Sequence, residues 1–317
     1  MEPPTVAVIG ARRVRNGTGP YLARHAAALG ARVVAVLGTS TASAGEAADW
    51  LADQDITAQP FTDFPRLIEA HRPEVLVVAS PTGTHGPWLE QGLAAGCHVL
   101  CEKPLLDGET ARTMALAQAY AAADLRLEEV CQWPWTLDAF RQLHPAVDLA
   151  QVQRFRMLLA PPLRGLLRWQ EMLSHPLSLL QEVLPGPLTL HDVHFHQGDP
   201  AQPDVRVEFT LAALEREVQV EFVLEDLGRF PRPAEYALDG HLCRRVVAEA
   251  DYGISFTAAA EGSEGAVAVE DPLKAQVAAF LEAVAAIRDG RAAATIDEGL
   301  VRRQDLLEQL LAAYAGA

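Results

Sequence analysis

No apolar run in the 317-residue sequence reaches the roughly 18 unbroken residues of a membrane span. The opening MEPPTVAVIG goes straight into a strand pattern rather than a leader. Neither export nor membrane anchoring is expected, and the expected location is the cytoplasm. Cysteine is scarce. Cys97, Cys101, Cys131 and Cys243 stand at no metal-site spacing, and Cys97 and Cys101 would flank one short strand, so all four are read as reduced thiols. Positive charge is also short, with 26 Lys and Arg against 42 Asp and Glu, a net charge of −16. Nucleic-acid binding rests on clustered Lys and Arg over phosphates, so that partner class is excluded and the acidity is read as solubility. Neither an internal repeat nor a low-complexity linker is present. Half the residues are hydrophobic and 21% are charged, as in a soluble globular protein long enough for two domains.

What is present is organised around residues 74–104. Val75 to Ala79 is an apolar run too short for a helix and ended by Ser80-Pro81, which reads as a buried parallel strand. Thr84 can cap the next helix and Gly96 can end it, just before a second strand from His98 to Cys101. Both strands would deliver their carboxyl ends to one sheet edge, where open α/β sheets hold ligands. Ser80, Pro81, Thr82, Gly83, Thr84 and His85 would therefore face the same crevice as Glu102, Lys103 and Pro104.

S-P-T-x-x-H after one strand and C-E-K-P after the next resemble the glucose-fructose oxidoreductase/inositol dehydrogenase family, Gfo/Idh/MocA. The resemblance implies an NAD(P)-dependent oxidoreductase acting on CH–OH groups, with Lys103 pointing at nicotinamide and substrate and Pro104 fixing the backbone beside it. It places Ser80, Pro81, Thr82, His85 and Glu102 around the cofactor. A small-molecule substrate is implied, and homo-oligomers through the open sheet of a second domain are expected by analogy.

One expected motif is missing. Thr5 to Ile9 forms the first strand and Gly10 closes it, but no compact G-x-G-x-x-G turn follows. Either Gly10 is the first glycine of an enlarged turn, or Gly17-x-Gly19-x-x-Leu22 is the fingerprint with leucine at the third glycine. Arg12, Arg13 and Arg15 make this loop an anion site, because guanidinium grips phosphate in a bidentate fork. The second strand, Arg32 to Leu37, runs into Gly38-Thr39-Ser40-Thr41 with no carboxylate before Glu46. A carboxylate there would bind the ribose of NAD and repel a 2′-phosphate. The hydroxyls of Thr39 and Ser40 with the nearby arginines favour NADP over NAD.

A strand from Leu125 to Val130 would close the first domain, residues 1–131. Gln132 follows, near the nicotinamide, and Trp133 and Trp135 would wall the substrate. From residue 150 strands predominate, at Gln151–Leu159, Arg206–Leu211, Glu217–Leu224, Ala234–Leu238, Leu242–Ala248 and Ala266–Val269. Turns such as Asp239-Gly240 and Gly262-Ser263 separate them, which predicts an open, mainly antiparallel sheet over residues 132–317. One helix interrupts it, roughly Leu167 to Leu184, although the C-terminal helices could pack back on the first domain.

That helix carries E-M-L-S-H-P, which resembles the family's D-x-x-x-H-P segment. Spacing of four places Glu171 and His175 on one face. His175 would be the general acid/base for the substrate hydroxyl and would contact substrate, with Lys103 sharing the proton or polarising the carbonyl. Glu171 replaces the family's Asp and is one methylene longer. In H-D-V-H-F-H, His194 and His196 would share one strand face while His191 points elsewhere, and no metal site is expected. Near the C-terminus, helices from Asp271-Pro272 to about Ile287 and from Ile296-Asp297 to Tyr314 also resemble the family, with Val277, Phe280, Leu281 and Val284 as core. The fold expected is a Rossmann doubly wound parallel sheet followed by an α+β domain. Two alternatives stand beside dehydrogenation: a non-catalytic nucleotide-binding regulator or scaffold, and a net elimination or hydrolysis with the cofactor as transient oxidant.

Overall fold

The computed structural model describes residues 2–12, 17–196, 205–214, 216–225, 232–247, 254–259 and 265–316. The expectations placed on Arg13, Arg15 and Gly262-Ser263 lie outside them. The chain divides into two compact units, residues 1–131 with 273–304, and residues 132–272 with 305–317.

In the first unit the chain alternates β1 (Thr5–Ile9), α1 (Gly19–Ala28), β2 (Arg32–Leu37), α2 (Thr41–Ala52), β3 (Gln59–Phe61), α3 (Phe64–His71), β4 (Val75–Val78), α4 (His85–Ala94), β5 (His98–Glu102), α5 (Thr110–Ala122) and β6 (Leu127–Val130). The six strands are parallel in the order β3-β2-β1-β4-β5-β6. This is the doubly wound Rossmann arrangement, whose strand order reverses between β1 and β4. All four residues of β4 are buried, because a parallel strand covered on both faces must be apolar throughout. Helices lie over both faces of the sheet. One face packs Leu22, Ala26 and Leu51 with Val277, Phe280 and Val284 of a later helix, α9 (Pro272–Arg288). The other packs Leu67, Leu89, Leu116 and Tyr120.

The second unit contains α6 (Leu137–Leu143), β7 (Arg154–Leu159), α7 (Gly165–Met172), α8 (Ser174–Val183), β8 (Thr189–His196), β9 (Val205–Ala213), β10 (Arg216–Leu224), β11 (Ala234–Leu238), β12 (His241–Val247), β13 (Ile254–Thr257) and β14 (Val267–Ala268). A last helix, α10 (Glu298–Ala315), begins in the first unit and ends in the second. The eight strands form one sheet in the order β14-β13-β12-β11-β7-β10-β9-β8, antiparallel except where β10 meets β7. Its inner face presents Phe155, Met157, Val207, Phe209, Val220 and Phe222 to a core that includes Trp169, Leu177 and Leu180. The opposite face is polar, with Arg156 bound to Glu221 at 2.9 Å and to Glu235 at 3.6 Å. Asp239 and Gly240, both at positive φ, turn β11 into β12 as an Asp-Gly hairpin requires.

Three expectations are corrected. The single helix over Leu167–Leu184 is two, α7 and α8, broken at Leu173. Pro176, the third residue of α8, lacks the N–H that would bond the Met172 carbonyl and continue α7, and its ring crowds that carbonyl. The three histidines of H-D-V-H-F-H share one face rather than splitting. Asp192 adopts φ 53 and an irregularity sits between His191 and His194, so that His191, His194 and His196 pair with Thr210, Glu208 and Arg206. The inserted residue restores the alternation, leaving Leu190, Val193 and Phe195 against the core. Thr84 does not cap α4. Its hydroxyl instead meets Ser80 Oγ at 2.8 Å and donates to the Pro81 carbonyl at 2.7 Å.

Candidate functional site

In the first unit the sequence motifs converge on the carboxyl ends of β1, β4 and β5. Gly10 ends β1 at φ 85, a left-handed conformation that favours glycine. A Cβ on Gly10 would come within 2.5 Å of the Ala79 carbonyl oxygen at the end of β4. Gly19 opens α1, and a Cβ there would lie 2.6 Å from the Gly10 carbonyl oxygen. The two glycines therefore pack helix against strand, with the enlarged loop between them. Gly17 precedes that packing point and lies in the loop itself. The N-terminus of α1 has no side-chain cap and no acidic residue in its first turn. Such an end, with its unpaired N–H groups and dipole, suits a phosphate. Backbone this bare and this close-packed fits a dinucleotide pyrophosphate.

Thr18, which the sequence reading passed over, could have capped α1. Its hydroxyl instead donates to Glu102 Oε1 at 2.7 Å, joining the loop to the turn that carries Lys103. At the end of β2, Thr39 and Ser40 are exposed, and Ser40 caps α2 by accepting the Ser43 N–H. Arg12 is spoken for by an ion pair with Glu46 on α2, both side chains about half exposed.

Ser80, Pro81 and Thr82 follow β4, with Pro81 exposed and Thr82 buried. His85 is wholly buried: Nδ1 lies 2.9 Å from the Pro104 carbonyl and Nε2 lies 2.8 Å from the Ser80 carbonyl. The ring is a brace, with one nitrogen within hydrogen-bond reach of the end of each motif loop. Lys103 is half-buried at the end of β5, and the Lys103–Pro104 peptide is cis.

In the second unit, Trp133 is 3% exposed, with its ring 6.4 Å from that of His175 and 6.1 Å from that of Tyr236. It backs the histidine as part of the core. Trp135, at 40%, is exposed. Glu171 and His175 lie half-buried on either side of the break at Leu173, which keeps helical angles of φ −66 and ψ −27. Gln132, Trp133, Thr136, Arg245 and Phe256 line a small hollow nearby in the same unit. Among the described residues no group of three or more His, Cys, Asp or Glu is placed to hold a metal ion. No helix among them is long and apolar enough to cross a membrane.

Residues 5–128 match the family model described as an oxidoreductase family with an NAD-binding Rossmann fold. This stretch contains both motifs and the strand-order reversal. The match, to the Gfo/Idh/MocA oxidoreductases, covers the first unit's sheet and less than half of the chain. A 100-residue segment is 40% identical to inositol 2-dehydrogenase of Rubrobacter xylanophilus. That alignment spans 30% of this chain and 27% of the relative's length. Solved structures extend the likeness to both units. KijD10, a 3-ketoreductase from Actinomadura kijaniata solved with NADP and TDP-benzene, matches at TM-score 0.71 and 18% identity, over 97% of each chain. GenD2 from gentamicin A biosynthesis, solved with NAD, matches at TM-score 0.68 and 18% identity, over 99% of this chain and 95% of its own. At such identities the shared property is the fold.

Proposed function

We propose that the protein is a nicotinamide-dependent oxidoreductase that interconverts a secondary alcohol and its carbonyl in a small polar molecule, a sugar or polyol. The observation that carries this reading is the convergence of Gly10, Gly19 and the braced Lys103 turn on the carboxyl edge of adjacent parallel strands. The match of residues 5–128 to the oxidoreductase family and the inositol dehydrogenase segment support the reaction class.

In this reading Gly10, Gly17, Gly19 and Thr18 hold the pyrophosphate, while Ser80, Pro81, Thr82 and Gln132 lie along the cofactor. A bound nicotinamide dinucleotide supplies the hydride acceptor or donor. Lys103 polarises the substrate oxygen, a compact cation suited to developing negative charge. His175 takes the hydroxyl proton on oxidation and returns it on reduction, with Glu171 orienting it and Trp133 behind its ring. Trp135 contributes an exposed apolar wall. Lacking a carboxylate at the end of β2, with the hydroxyls of Thr39 and Ser40 exposed, the chain would take NADP in preference to NAD. Arg12 would then exchange Glu46 for the 2′-phosphate. The polar face of the eight-stranded sheet would carry contacts between copies of the chain.

Quenching of tryptophan fluorescence by NADPH and NADH tests the first step. Tight binding of NADPH, weakened by Arg12→Ala, supports the site and the preference. A screen of polyols and sugars then follows, in which Lys103→Ala and His175→Asn should each lower turnover by roughly 100-fold or more. Absence of binding of either nucleotide at micromolar concentration sinks the proposal.

A further inference from the structure

We propose that Glu129 is a positioning residue for Lys103, fixing the peptide between Pro104 and Leu105 from one side while His85 fixes it from the other. The inference rests on the reading of Lys103 as the reactive cation. Glu129 lies on β6, and its side chain is fully buried. A buried carboxylate is costly unless every oxygen is engaged. Here each is. Oε2 takes the Arg303 guanidinium of α10 in an ion pair and faces Cys131 Sγ at 3.4 Å. Oε1 accepts the Leu105 N–H at 2.8 Å and the Gln304 side chain at 3.2 Å. Gln276 secures the strand beside them, donating to the Glu129 carbonyl at 2.8 Å and accepting the Cys131 N–H at 2.8 Å. Burial works against the charge on Arg303, but Cys131, Glu129 and Asp297 together raise its pKa and keep the guanidinium charged.

Stability alone does not account for this arrangement. Replacing a buried ion pair with apolar residues of similar volume is often neutral or stabilising. What an apolar side chain at position 129 could not do is accept the Leu105 N–H. Leu105 and Leu106 are 0% and 3% exposed, so that N–H has no access to solvent in exchange. The same peptide unit presents its carbonyl, that of Pro104, to His85 at 2.9 Å. A peptide unit is planar, so a bond at each end sets its orientation. Lys103 is joined directly to it through Pro104. The side chains of α4 and β6 thus set the direction in which Lys103 leaves the sheet edge, and α10 neutralises the group that does it.

The sequence makes the test clean, because Lys103 and Lys274 are the only lysines. In a Lys274→Arg background, reductive methylation with 13C-formaldehyde leaves Lys103 as the one labelled side chain beside the N-terminal amine. Two further variants are compared by NMR, Glu129→Gln/Arg303→Met and Glu129→Leu/Arg303→Met. Both are neutral at the pair and differ in whether an oxygen remains for the Leu105 N–H. The expected result is a Lys103 resonance unchanged in the Gln variant and displaced by more than its linewidth in the Leu variant. A resonance unmoved in both, or moved equally in both, overturns the proposal. Should the Leu variant fail to fold, the Leu105 amide of the unaltered protein decides. A slowly exchanging proton shifted downfield by the carboxylate supports the clamp, and a random-coil shift overturns it. None of these readings needs nucleotide or substrate, so failure of dinucleotide binding would sink the proposed function without touching this result.

Discussion

Thr18 Oγ1 donates to Glu102 Oε1 across 84 residues of sequence, at 2.7 Å, and so links the loop before α1 to the turn that bears Lys103. Neither residue is fully buried, yet the bond sets the spacing between the two segments proposed to hold opposite ends of a nicotinamide nucleotide. Thr18→Val keeps the shape and removes the donor. With about 1 kcal/mol lost from a bond to a charged, part-exposed group, the Kd for the preferred nucleotide should rise roughly fivefold. Fluorescence titration measures it, and an unchanged Kd would separate this bond from nucleotide binding.

His85 should matter to stability before it matters to anything else. His85→Ala leaves the Pro104 and Ser80 carbonyls without the ring that bridges them in a site of 0% exposure and opens a cavity there. The lost buried hydrogen bonding plus the cavity amounts to about 3 kcal/mol. Urea unfolding followed by far-UV circular dichroism would read it. A loss below about 1 kcal/mol would mean that water fills the space left by the ring and donates to the two carbonyls in its place.

Much of the first unit was legible, because β1, β4 and β5 are covered on both faces and so appear as continuous apolar runs ended by Gly or Ser-Pro. The signals that were misread were present as well. Leu190, Val193 and Phe195 break the period of two at one place, which marks the extra residue at Asp192. Pro176 marks the helix break. Tertiary pairings left no local trace. Glu128-Glu129 in an otherwise apolar strand flags a buried charge, but nothing near it in sequence names Arg303, 174 residues away. Thr18 is equally silent, since its bond depends on a loop longer than the compact G-x-G-x-x-G turn.

The four cysteines should be chemically inert until the chain unfolds. All are buried, and burial pushes the Cys97 thiol up to about 11 and the Cys243 thiol up to about 12. Cys101 is raised too, by burial first and then by Glu102 and Glu129. Only thiolate attacks a disulfide reagent. At pH 8, DTNB should therefore release no chromophore from native protein and react with four thiols in guanidinium. Fast reaction of even one thiol in the native state would contradict the placement of that residue.

Acid sensitivity should trace in part to His98. Its ring is 6% exposed, and Nδ1 accepts the Arg126 N–H at 2.9 Å, a role open only to a nitrogen without a proton. Burial lowers its pKa below the usual 6.5, Asp124 opposes that shift, and Arg126 adds to it. The sign follows by linkage. Below about pH 6.5 the unfolded chain binds a proton that folded His98 refuses, so stability is complete above that value and falls as the pH drops toward the folded pKa. One such group contributes at most about 1.4 kcal/mol per pH unit. His98→Asn offers Oδ1 to the same N–H without titrating, so the variant should lose less stability than the parent between pH 7.5 and 5.5. Urea midpoints at the two pH values measure the difference, in which the other histidines cancel. Parallel losses in the two proteins would assign the acid sensitivity elsewhere.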